Sequence, residues 1–257
     1  MLKIGVVDYL VKRLEVMIFN EKVIAITGGN SGIGKTIAQK FSQEGAKVAI
    51  FGRDECKLEQ INTTLRESVA IAGDVSKLSD LDSFFQITEE KLGKIDILVA
   101  CAGIASRRAL DEVDEAYFDE MVNINFKGIY FTVQRAIPYL NNKASVVLIS
   151  SMATQRGWSS HSVYSSTKAA VSMLAKNFSA DLIHRGIRVN SISPGYTSTE
   201  MYPPEFIEQH KKTLPTGEFA SPEEIADAVA FLSSPSAASI VGFDLLIDGG
   251  LTTLMNE

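Results

Sequence analysis

The sequence lacks the features that mark secreted, metal-binding and nucleic-acid-binding proteins. Its 257 residues include only two cysteines, Cys56 and Cys101, too few for a disulfide scaffold and suited to a reducing compartment. The net charge of −6 and the absence of any basic block argue against nucleic acid or an anionic membrane as a partner. No His, Cys, Asp and Glu cluster has metal-ligand spacing, so no metal site is expected. We expect a soluble cytoplasmic protein.

Long hydrophobic runs are also missing from the start of the chain. Charged residues interrupt the apolar positions of the first twenty residues, so we expect neither a signal peptide nor a membrane span there. Apolar positions at helical spacing are Val7, Leu10, Val11, Leu14 and Ile18. Residues 1–16 are therefore either an amphipathic helix or a gene-model extension before a true start at Met17. We treat 1–16 as an extension of uncertain status and 17–257 as one domain.

From Lys22 onward, short β-rich runs alternate with longer amphipathic ones. The predicted strands are Val23–Thr27, Val48–Phe51, Val69–Ala72, Ile95–Ala100, Val146–Ser150, Arg188–Ser193 and Phe243–Ile247. The predicted helices are Gly34–Glu44, Glu55–Arg66, Ser79–Lys91, Glu112–Leu140 and His161–His184. This alternation predicts an α/β fold, a single doubly wound domain with a seven-stranded parallel sheet flanked by helices. The polar, proline-containing segment Ser198–Phe219 interrupts the alternation and is predicted to be a mobile lid.

The first predicted strand leads into a glycine-rich turn, Thr27–Gly34, and a helical pattern follows. Glycines let the backbone turn sharply and approach a pyrophosphate, while the helix N-terminus offers free amides and a favourable dipole. A plain tight turn is the alternative. The strand before the turn and the helix after it favour a dinucleotide site.

The residues after the second strand bear on which cofactor is used. An NAD site usually presents an acid to the ribose 2′-hydroxyl at this place, but here Gly52 is followed by Arg53. A guanidinium can pair with a 2′-phosphate, so the sequence favours NADP(H) over NAD(H). The alternative is that Arg53 is a solvated surface residue and Asp54 binds the ribose.

Three polar residues have the spacing of a proton-transfer site. Tyr164 and Lys168 lie four apart in the predicted helix His161–His184 and so share one face. An ammonium beside a phenol lowers the phenol pKa from about 10, which suits Tyr164 to general acid or base catalysis. Ser151 follows the strand Val146–Ser150, at the sheet edge where open α/β folds bind ligands. The plainer alternatives are a helix cap for Ser151 and a surface charge for Lys168.

With these motifs in this order, the chain resembles the short-chain dehydrogenase/reductase family, a Rossmann-fold family, over roughly Asn20 to Thr252. The resemblance implies hydride exchange between nicotinamide C4 and a carbonyl or carbinol carbon, with Tyr164 giving or taking the proton. It implies that Asn125 is a fourth catalytic residue, which holds a water in the proton relay. A buried turn asparagine is the alternative.

The resemblance also implies where the cofactor binds. The implied cofactor-binding residues are Gly28, Asn30, Ser31, Gly32, Ile33, Gly34, Arg53, Asp74, Val75, Cys101, Ala102, Gly103, Tyr164, Lys168, Pro194, Gly195, Thr197 and Thr199. Among them, Asp74 and Val75 are expected beside the adenine, and the segment Pro194–Thr199 is expected beside the nicotinamide carboxamide. Asp248, Gly249 and Gly250 match the family's C-terminal signature.

The chain departs from the family after the fourth strand. The family usually has Asn-Asn-Ala-Gly there, whereas this sequence has the segment Ala100–Gly103, which implies a less rigid strand end. Cys101 is then either an oxidisable thiol near the cofactor or a small buried hydrophobic residue, and we favour the second. Trp158 and His161 are candidates for lining the substrate pocket.

These observations predict an oxidoreductase that acts on a ketone or secondary alcohol. A 3-oxoacyl-thioester reductase would need a basic entrance, which surface residues Arg107, Arg108, Lys211 and Lys212 could supply, although solubility explains them equally well. A catalytically silent NAD(P)-sensing protein is the alternative from another class, and the intact catalytic residues argue against it. The helix around Lys168 is apolar on more than one face, so a homodimer or homotetramer is expected.

Overall fold

The computed structural model describes residues 17–254, in which seven strands and eight α-helices alternate. The strands are β1 (Val23–Thr27), β2 (Lys47–Gly52), β3 (Ser68–Ala72), β4 (Ile95–Ala100), β5 (Leu140–Ile149), β6 (Arg188–Pro194) and β7 (Asp244–Ile247). The helices are α1 (Gly32–Gln43), α2 (Glu55–Asn62), α3 (Leu78–Leu92), α4 (Glu115–Val122), α5 (Ile129–Ala136), α6 (Ser162–Leu182), α7 (Pro204–His210) and α8 (Pro222–Ser233). The predictions for residues 1–16 lie outside the described residues.

All seven strands pair in parallel, in the order β3-β2-β1-β4-β5-β6-β7. The order reverses between β1 and β4, and doubly wound sheets bind ligands in the crevice outside the strand ends at such a point. The predicted α/β fold class, a doubly wound seven-stranded parallel sheet flanked by helices, is confirmed.

Helices cover both faces of the sheet and leave the ends of its strands open. On one face, aromatic and aliphatic side chains of α3, α5 and α6 form a core that includes Phe84 and Phe178. On the other, α1, α2 and α8 pack around Phe41 and Ile225. Because both faces are covered, β1 is buried at every position, as the continuous hydrophobic runs of the sequence predict.

The predicted helix Glu112–Leu140 is wrong as a single element. The structure divides it into α4, a π-turn at Asn123–Gly128, and α5. A π-turn inserts an extra residue into a helix and is frequent at functional sites. The chain then passes through a 3₁₀ turn that contains Pro138, and β5 begins at Leu140, ahead of the predicted start.

Candidate active site

A cavity of about 1000 Å³ opens at the carboxyl ends of the strands. Segments after β1, β2, β4, β5 and β6 line it, together with the first turns of α1 and α6. The predicted site residues that line it are Gly28, Asn30, Ser31, Gly32, Ile33, Gly34, Arg53, Asp74, Val75, Cys101, Ala102, Gly103, Ser151, Tyr164, Lys168, Pro194, Gly195, Thr197 and Thr199. The structure therefore brings together every predicted site residue except Asn125.

The turn after β1 requires glycine at two places. Gly28 has φ of +72°, and a Cβ there would lie 2.9 Å from the Cα of Ala102. A Cβ at Gly34 would collide with the carbonyl oxygen of Gly28. A side chain at Gly28 would force the loops after β1 and β4 apart, and one at Gly34 would push the start of α1 away from the turn, so the glycines set the shape of the cavity floor.

The N-terminus of α1 suits an anion. The N-cap is Ser31, whose side chain makes no capping hydrogen bond among the described residues, and the first turn carries no acidic residue. Amides at a helix start that no side chain caps are available to a phosphate, and the helix dipole adds to the attraction. These residues therefore fit the pyrophosphate of a dinucleotide.

Asn30 explains why the residue that ends β2 is a glycine. A Cβ at Gly52 would lie 2.6 Å from the Oδ1 of Asn30, so no acidic side chain fits there while Asn30 keeps its place. Arg53 is exposed and lines the cavity. The carboxylate of Asp54 also lines it, but Asp54 caps α2 by accepting from the Lys57 amide at 3.0 Å.

Asp74 occupies the adenine end of the predicted site. Burial raises its pKa, but hydrogen bonds from Ser76 and the nearby charge of Arg53 outweigh that effect and hold the pKa below its usual value. Asp74 Oδ1 accepts from the Ser76 amide at 2.9 Å and from its hydroxyl at 2.8 Å. Asp74 is therefore a fixed anion close to Arg53.

Thr27 of β1 binds the residues that follow β4, where the family usually has asparagine and this chain has Cys101. The Thr27 hydroxyl accepts from the amides of Cys101 at 3.2 Å and Ala102 at 3.3 Å. These two hydrogen bonds tie the end of β4 to β1. They compensate locally for the rigidity that the missing asparagine was expected to cost. Burial raises the pKa of the Cys101 thiol to about 11, only partly offset by Lys168, which agrees with the favoured buried-hydrophobe role.

Ser151, Tyr164 and Lys168 meet on one wall of the cavity. The Ser151 hydroxyl lies close enough to the Tyr164 phenol to lower its pKa, and Lys168 Nζ donates to the Ile149 carbonyl oxygen at 2.9 Å. Ser151 Oγ also accepts from the Ala153 amide at 3.2 Å and so caps a 3₁₀ turn. Ser151 therefore acts as a helix cap, as the alternative interpretation had it, and also lies in the site. Lys168 is buried, so it is not a surface charge.

The pKa values of this wall differ from the expectation. Burial raises the pKa of Tyr164, and the Ser151 hydroxyl offsets only part of that rise. Burial also lowers the pKa of Lys168, to about 8. The predicted lowering of the Tyr164 pKa by Lys168 is therefore wrong for this structure, because burial of the phenol outweighs the one interaction that lowers its pKa, the contact with the Ser151 hydroxyl. Tyr164 keeps its proton, as a proton donor must.

Asn125 lies in the π-turn and is fully buried. Its Oδ1 accepts from the Ile104 amide, and its Nδ2 donates to the Ile104 carbonyl, both at 2.8 Å. A Cβ at Gly103 would lie 3.2 Å from Asn125 Oδ1 and 3.3 Å from Lys168 Nζ, so the two side chains flank Gly103. The structure thus shows the alternative interpretation, a buried turn asparagine, and the water-holding role stays a prediction.

The segment after β6 reaches across the cavity to α1. A Cβ at Gly32 would lie 3.6 Å from the Cγ2 of Thr199, so this threonine faces the phosphate turn. Thr197 is buried, and its hydroxyl donates to the Gly195 carbonyl at 3.2 Å. A Cβ at Gly195 would lie 2.6 Å from the Cα of Asp248. The C-terminal signature therefore packs directly behind the predicted nicotinamide segment.

The sequence analysis missed a group of aromatic side chains in the predicted lid and, at Tyr196, just before it. Tyr202 stacks on Phe206 and Tyr196 stacks on Phe219, each pair with centroids 5.0 Å apart. We call these four residues the lid aromatics, and all but Phe219 line the cavity. The sequence did show four aromatic residues within 24 positions. The prolines and polar residues between them made the segment look like a polar loop. That this segment moves stays a prediction.

A second aromatic row reaches Tyr164. The rings of Trp158 and His161 lie 6.4 Å apart, and those of His161 and Tyr164 lie 6.3 Å apart. Both Trp158 and His161 line the cavity, and His161 is also the N-cap residue of α6, the plainer helix-start position that the sequence favoured for it. Both aromatic groups reach the part of the cavity that contains Tyr164.

Across residues 17–254, no three His, Cys, Asp or Glu side chains gather in a way that could hold a metal ion. Within that same range, no helix is long and apolar enough to cross a membrane.

Comparison with known proteins agrees with this geometry. A family model described as enoyl-(acyl carrier protein) reductase matches residues 28–252. The chain belongs to the short-chain dehydrogenase/reductase family. It is an oxidoreductase, and the family binds a nicotinamide cofactor.

Three relatives illustrate the range of the family. The 3-oxoacyl-(acyl-carrier-protein) reductase FabG of Thermotoga maritima is 34% identical over 242 residues, 90% of this chain and 97% of that protein. A hydroxynaphthalene reductase-like protein, Arp2, of Metarhizium guizhouense is 33% identical over 254 residues, 90% of this chain and 95% of that protein. The structure of a short-chain dehydrogenase from Burkholderia cenocepacia in complex with NADP has a TM-score of 0.85 and 29% identity, covering 91% of this chain and 99% of that one.

Proposed function

We propose that the protein is a cytoplasmic, NADP(H)-dependent enzyme that interconverts a ketone and a secondary alcohol by hydride transfer. The observation that carries the proposal is the meeting of Ser151, Tyr164 and Lys168 on one wall of a cavity whose floor is the phosphate turn. The nicotinamide cofactor, when bound, supplies or accepts the hydride. A catalytically silent sensor would have no need for a proton donor at this wall.

The side chains of the wall have distinct roles in this proposal. Tyr164 gives its proton to the carbonyl oxygen during reduction, because burial keeps the phenol protonated at neutral pH. Ser151 orients that oxygen and the phenol through its hydroxyl. Lys168, held by the Ile149 carbonyl, then returns a proton to the Tyr164 phenolate. It can do so because its pKa of about 8 lies near the working pH. Asn125 supports the relay by fixing the chain at Ile104.

The test of this chemistry is cofactor absorbance during turnover by wild type and Tyr164→Phe. Removal of the phenol hydroxyl is expected to lower kcat by about 10²- to 10⁴-fold, with cofactor still bound. Tyr139→Phe is the matched control, because that tyrosine packs on Phe85 away from the cavity. Equal turnover by Tyr164→Phe and wild type would refute the proton-donor role. Cofactor binding without any turnover would favour the sensor.

The preference for NADP(H) rests on Arg53 and Gly52. Arg53 is exposed at the cavity beside the position where an acid would bind a ribose hydroxyl, and the neighbour from Burkholderia cenocepacia binds NADP. Arg53→Ala should weaken NADPH binding about tenfold and leave NADH binding unchanged, since the 2′-phosphate loses a charged partner. Arg66→Ala, another exposed arginine outside the cavity, is the control. Equal losses for both cofactors would assign Arg53 no part in selectivity.

For the substrate, we infer a ketone attached to an aromatic or fused ring. Both aromatic groups reach the part of the cavity that contains Tyr164, and flat rings stack on such side chains. The alternative, an acidic-carrier thioester, needs free cations at the entrance. Two of its four candidate cations are already in ion pairs, Arg108 with Asp114 and Lys211 with Glu208, each at 2.9 Å.

A matched pair of substrates distinguishes these possibilities. We expect 2-tetralone to be reduced with a higher kcat/KM than acetoacetyl-CoA, and Tyr202→Leu to raise KM for tetralone. Phe231→Leu, an exposed aromatic outside the cavity, is the control variant. The opposite ranking of the two substrates would support the FabG-like activity instead.

We also propose that the protein is a homo-oligomer. The structure changes which apolar residues of α6 support this proposal. Much of the apolar surface of α6 that prompted the expectation, including Val171 and Phe178, is buried within the chain. The outward apolar residues on α6 and beyond its end are Met173, 52% exposed, and Ile183, 49% exposed. Sedimentation at micromolar concentration should show a dimer or tetramer, and Met173→Glu should shift it towards monomer. A wild-type monomer would refute this.

A further inference from the structure

A half-buried carboxylate and four serines, three of them buried, form a hydrogen-bond network behind the wall that holds Tyr164 and Lys168. Asp244, the first residue of β7, accepts from the Ser191 hydroxyl at 2.8 Å and from the Ser193 hydroxyl at 2.9 Å, both on β6. It also accepts from the Ser172 hydroxyl of α6 at 3.1 Å. The carboxylate therefore links two strands of the sheet to the helix that carries Tyr164 and Lys168.

The network continues from Ser172 to the catalytic residues. Ser172 Oγ lies 2.8 Å from the Oγ of Ser150, the residue that precedes Ser151. The Ser150 hydroxyl donates to the backbone carbonyl of Lys168 at 2.8 Å. Lys168 Nζ in turn donates to the carbonyl of Ile149. The strand end 149–151 thus holds Lys168 at both its backbone and its ammonium.

The number of hydroxyl protons in the network implies that Asp244 determines which serine donates to which acceptor. Each serine has one hydroxyl proton, and Ser172 has three acceptors within reach: Asp244, Ser150 Oγ and, at 3.5 Å, the Lys168 carbonyl. A carboxylate is the strongest acceptor of the three, so it takes the Ser172 proton. Ser150 must then supply the proton for its 2.8 Å contact with Ser172 Oγ, so its proton is shared between that oxygen and the Lys168 carbonyl. A neutral residue at 244 would remove this preference.

We propose that Asp244 is a positioning residue, which acts through Ser172 and Ser150 to hold the Lys168 turn of α6 against the end of β5. Asp244 lies outside the residues that line the cavity, so its effect on the reaction is indirect. The inference rests on the proposed reduction, in which the place of Lys168 Nζ relative to Tyr164 and Ser151 sets the rate of proton transfer. Loss of the network would let the helix turn shift and water reach the ammonium.

The test compares Ser172→Ala and Asp244→Asn with Ser179→Ala. Ser179 is a buried serine of the same helix, two turns further on, and its hydroxyl donates to the Val189 carbonyl of β6 at 2.7 Å. Its removal therefore costs a similar helix-to-strand hydrogen bond away from Lys168. We expect kcat to fall about tenfold in Ser172→Ala and Asp244→Asn with cofactor KM nearly unchanged, because a misplaced group costs rate. Ser179→Ala should lose stability alone.

A second readout does not require turnover. The Nζ of Lys168 can be titrated by NMR in the free protein with isotope-labelled lysine, assigned by the signal missing from Lys168→Met. Besides Lys168, the titratable groups near this wall are Cys101, Tyr164, His161 and Tyr202, and all four are the same in the three variants. Ser172→Ala and Asp244→Asn should move the Lys168 pKa up from about 8, towards the ordinary lysine value, as water enters.

The outcomes separate this inference from the proposed function. Equal kcat values and equal Lys168 titrations in Ser172→Ala and Ser179→Ala would overturn the positioning role of the network. An inactive wild type would refute the proposed reduction, while the titration would still decide whether Asp244 positions Lys168. If the two residues act along one path, the double variant Ser172→Ala with Asp244→Asn should lose no more than either single variant.

Discussion

The Nζ of Lys168 donates to the backbone carbonyl of Ile149 at 2.9 Å, two residues before Ser151. This bond holds the ammonium in place but replaces only part of the water that the charge would have in solution. Burial therefore lowers the Lys168 pKa to about 8. A lysine held in this way suits the proton transfer proposed above, and its burial destabilises the fold at neutral pH.

Lys168→Met should therefore stabilise the protein at pH 7 while it abolishes turnover. The difference between a pKa of about 8 and the ordinary 10.5 corresponds to about 3 kcal/mol, or about 2 kcal/mol after the lost hydrogen bond. Below pH 8 the lysine is charged in both folded and unfolded chains, so the variant has its full advantage. Between pH 8 and 10.5 only the unfolded chain keeps the proton, wild type gains stability, and the advantage shrinks. Urea unfolding at pH 7 and pH 9.5 measures it, and a variant less stable at both would contradict the prediction.

Asn125→Ala should unfold more readily than other variants of the site. The change leaves the amide and carbonyl of Ile104 without the partners that they now have at 2.8 Å. Two partly buried polar groups without partners cost about 1 to 3 kcal/mol. The midpoint of urea unfolding should fall accordingly, whereas Asn123→Ala, in the same π-turn but only half-buried, should cost less. Equal stability of Asn125→Ala and wild type would refute this structural role.

The two cysteines should differ strongly towards a thiol reagent at pH 7.5. Cys56 is exposed, whereas the Cys101 thiol, with its pKa raised to about 11, is almost entirely protonated. A native protein treated with Ellman's reagent should release one equivalent quickly and the second only after unfolding. Cys56→Ser should abolish the fast phase. Two equally fast thiols would show that Cys101 is an accessible thiolate.

Asn30 and Gly52 should act as a pair in cofactor selection. Gly52→Asp alone should weaken binding of both cofactors, because Asn30 Oδ1 occupies the space that the new Cβ needs. Adding Asn30→Ala removes that conflict and allows the carboxylate to reach the ribose, which should shift the NADPH-to-NADH preference about tenfold towards NADH. Fluorescence titration with each cofactor measures the shift. If Gly52→Asp alone binds NADH as well as the double variant, Asn30 plays no part.

The fold could be predicted from the sequence because its signals are local. The buried strands appear as apolar runs, and the glycines of the phosphate turn are needed for a backbone approach that no other residue allows. Ser151, Tyr164 and Lys168 could be assigned because sheet topology places a strand end beside a helix start.

Other features depend on contacts between distant segments and have no local signal. The raised pKa of Tyr164 results from burial by several loops, whereas spacing alone pointed to a lowered one. Helix α8 went unpredicted, although Ser221 and Glu224 form a capping box at its start. The role of Asn125 could not be found from sequence, because its partner Ile104 is 21 positions away.

The π-turn at Asn123–Gly128 also limits how the chain length can vary. Each residue of a helix turns it by about 100°, so one deletion between α4 and α5 would rotate one helix relative to the other by about that angle. Asn125 would then face away from Ile104, or the core residues of α5 would face solvent. Substitutions in this stretch can be absorbed one side chain at a time, whereas a change in length cannot. An alignment gap placed here would therefore indicate an alignment error or a different active-site geometry.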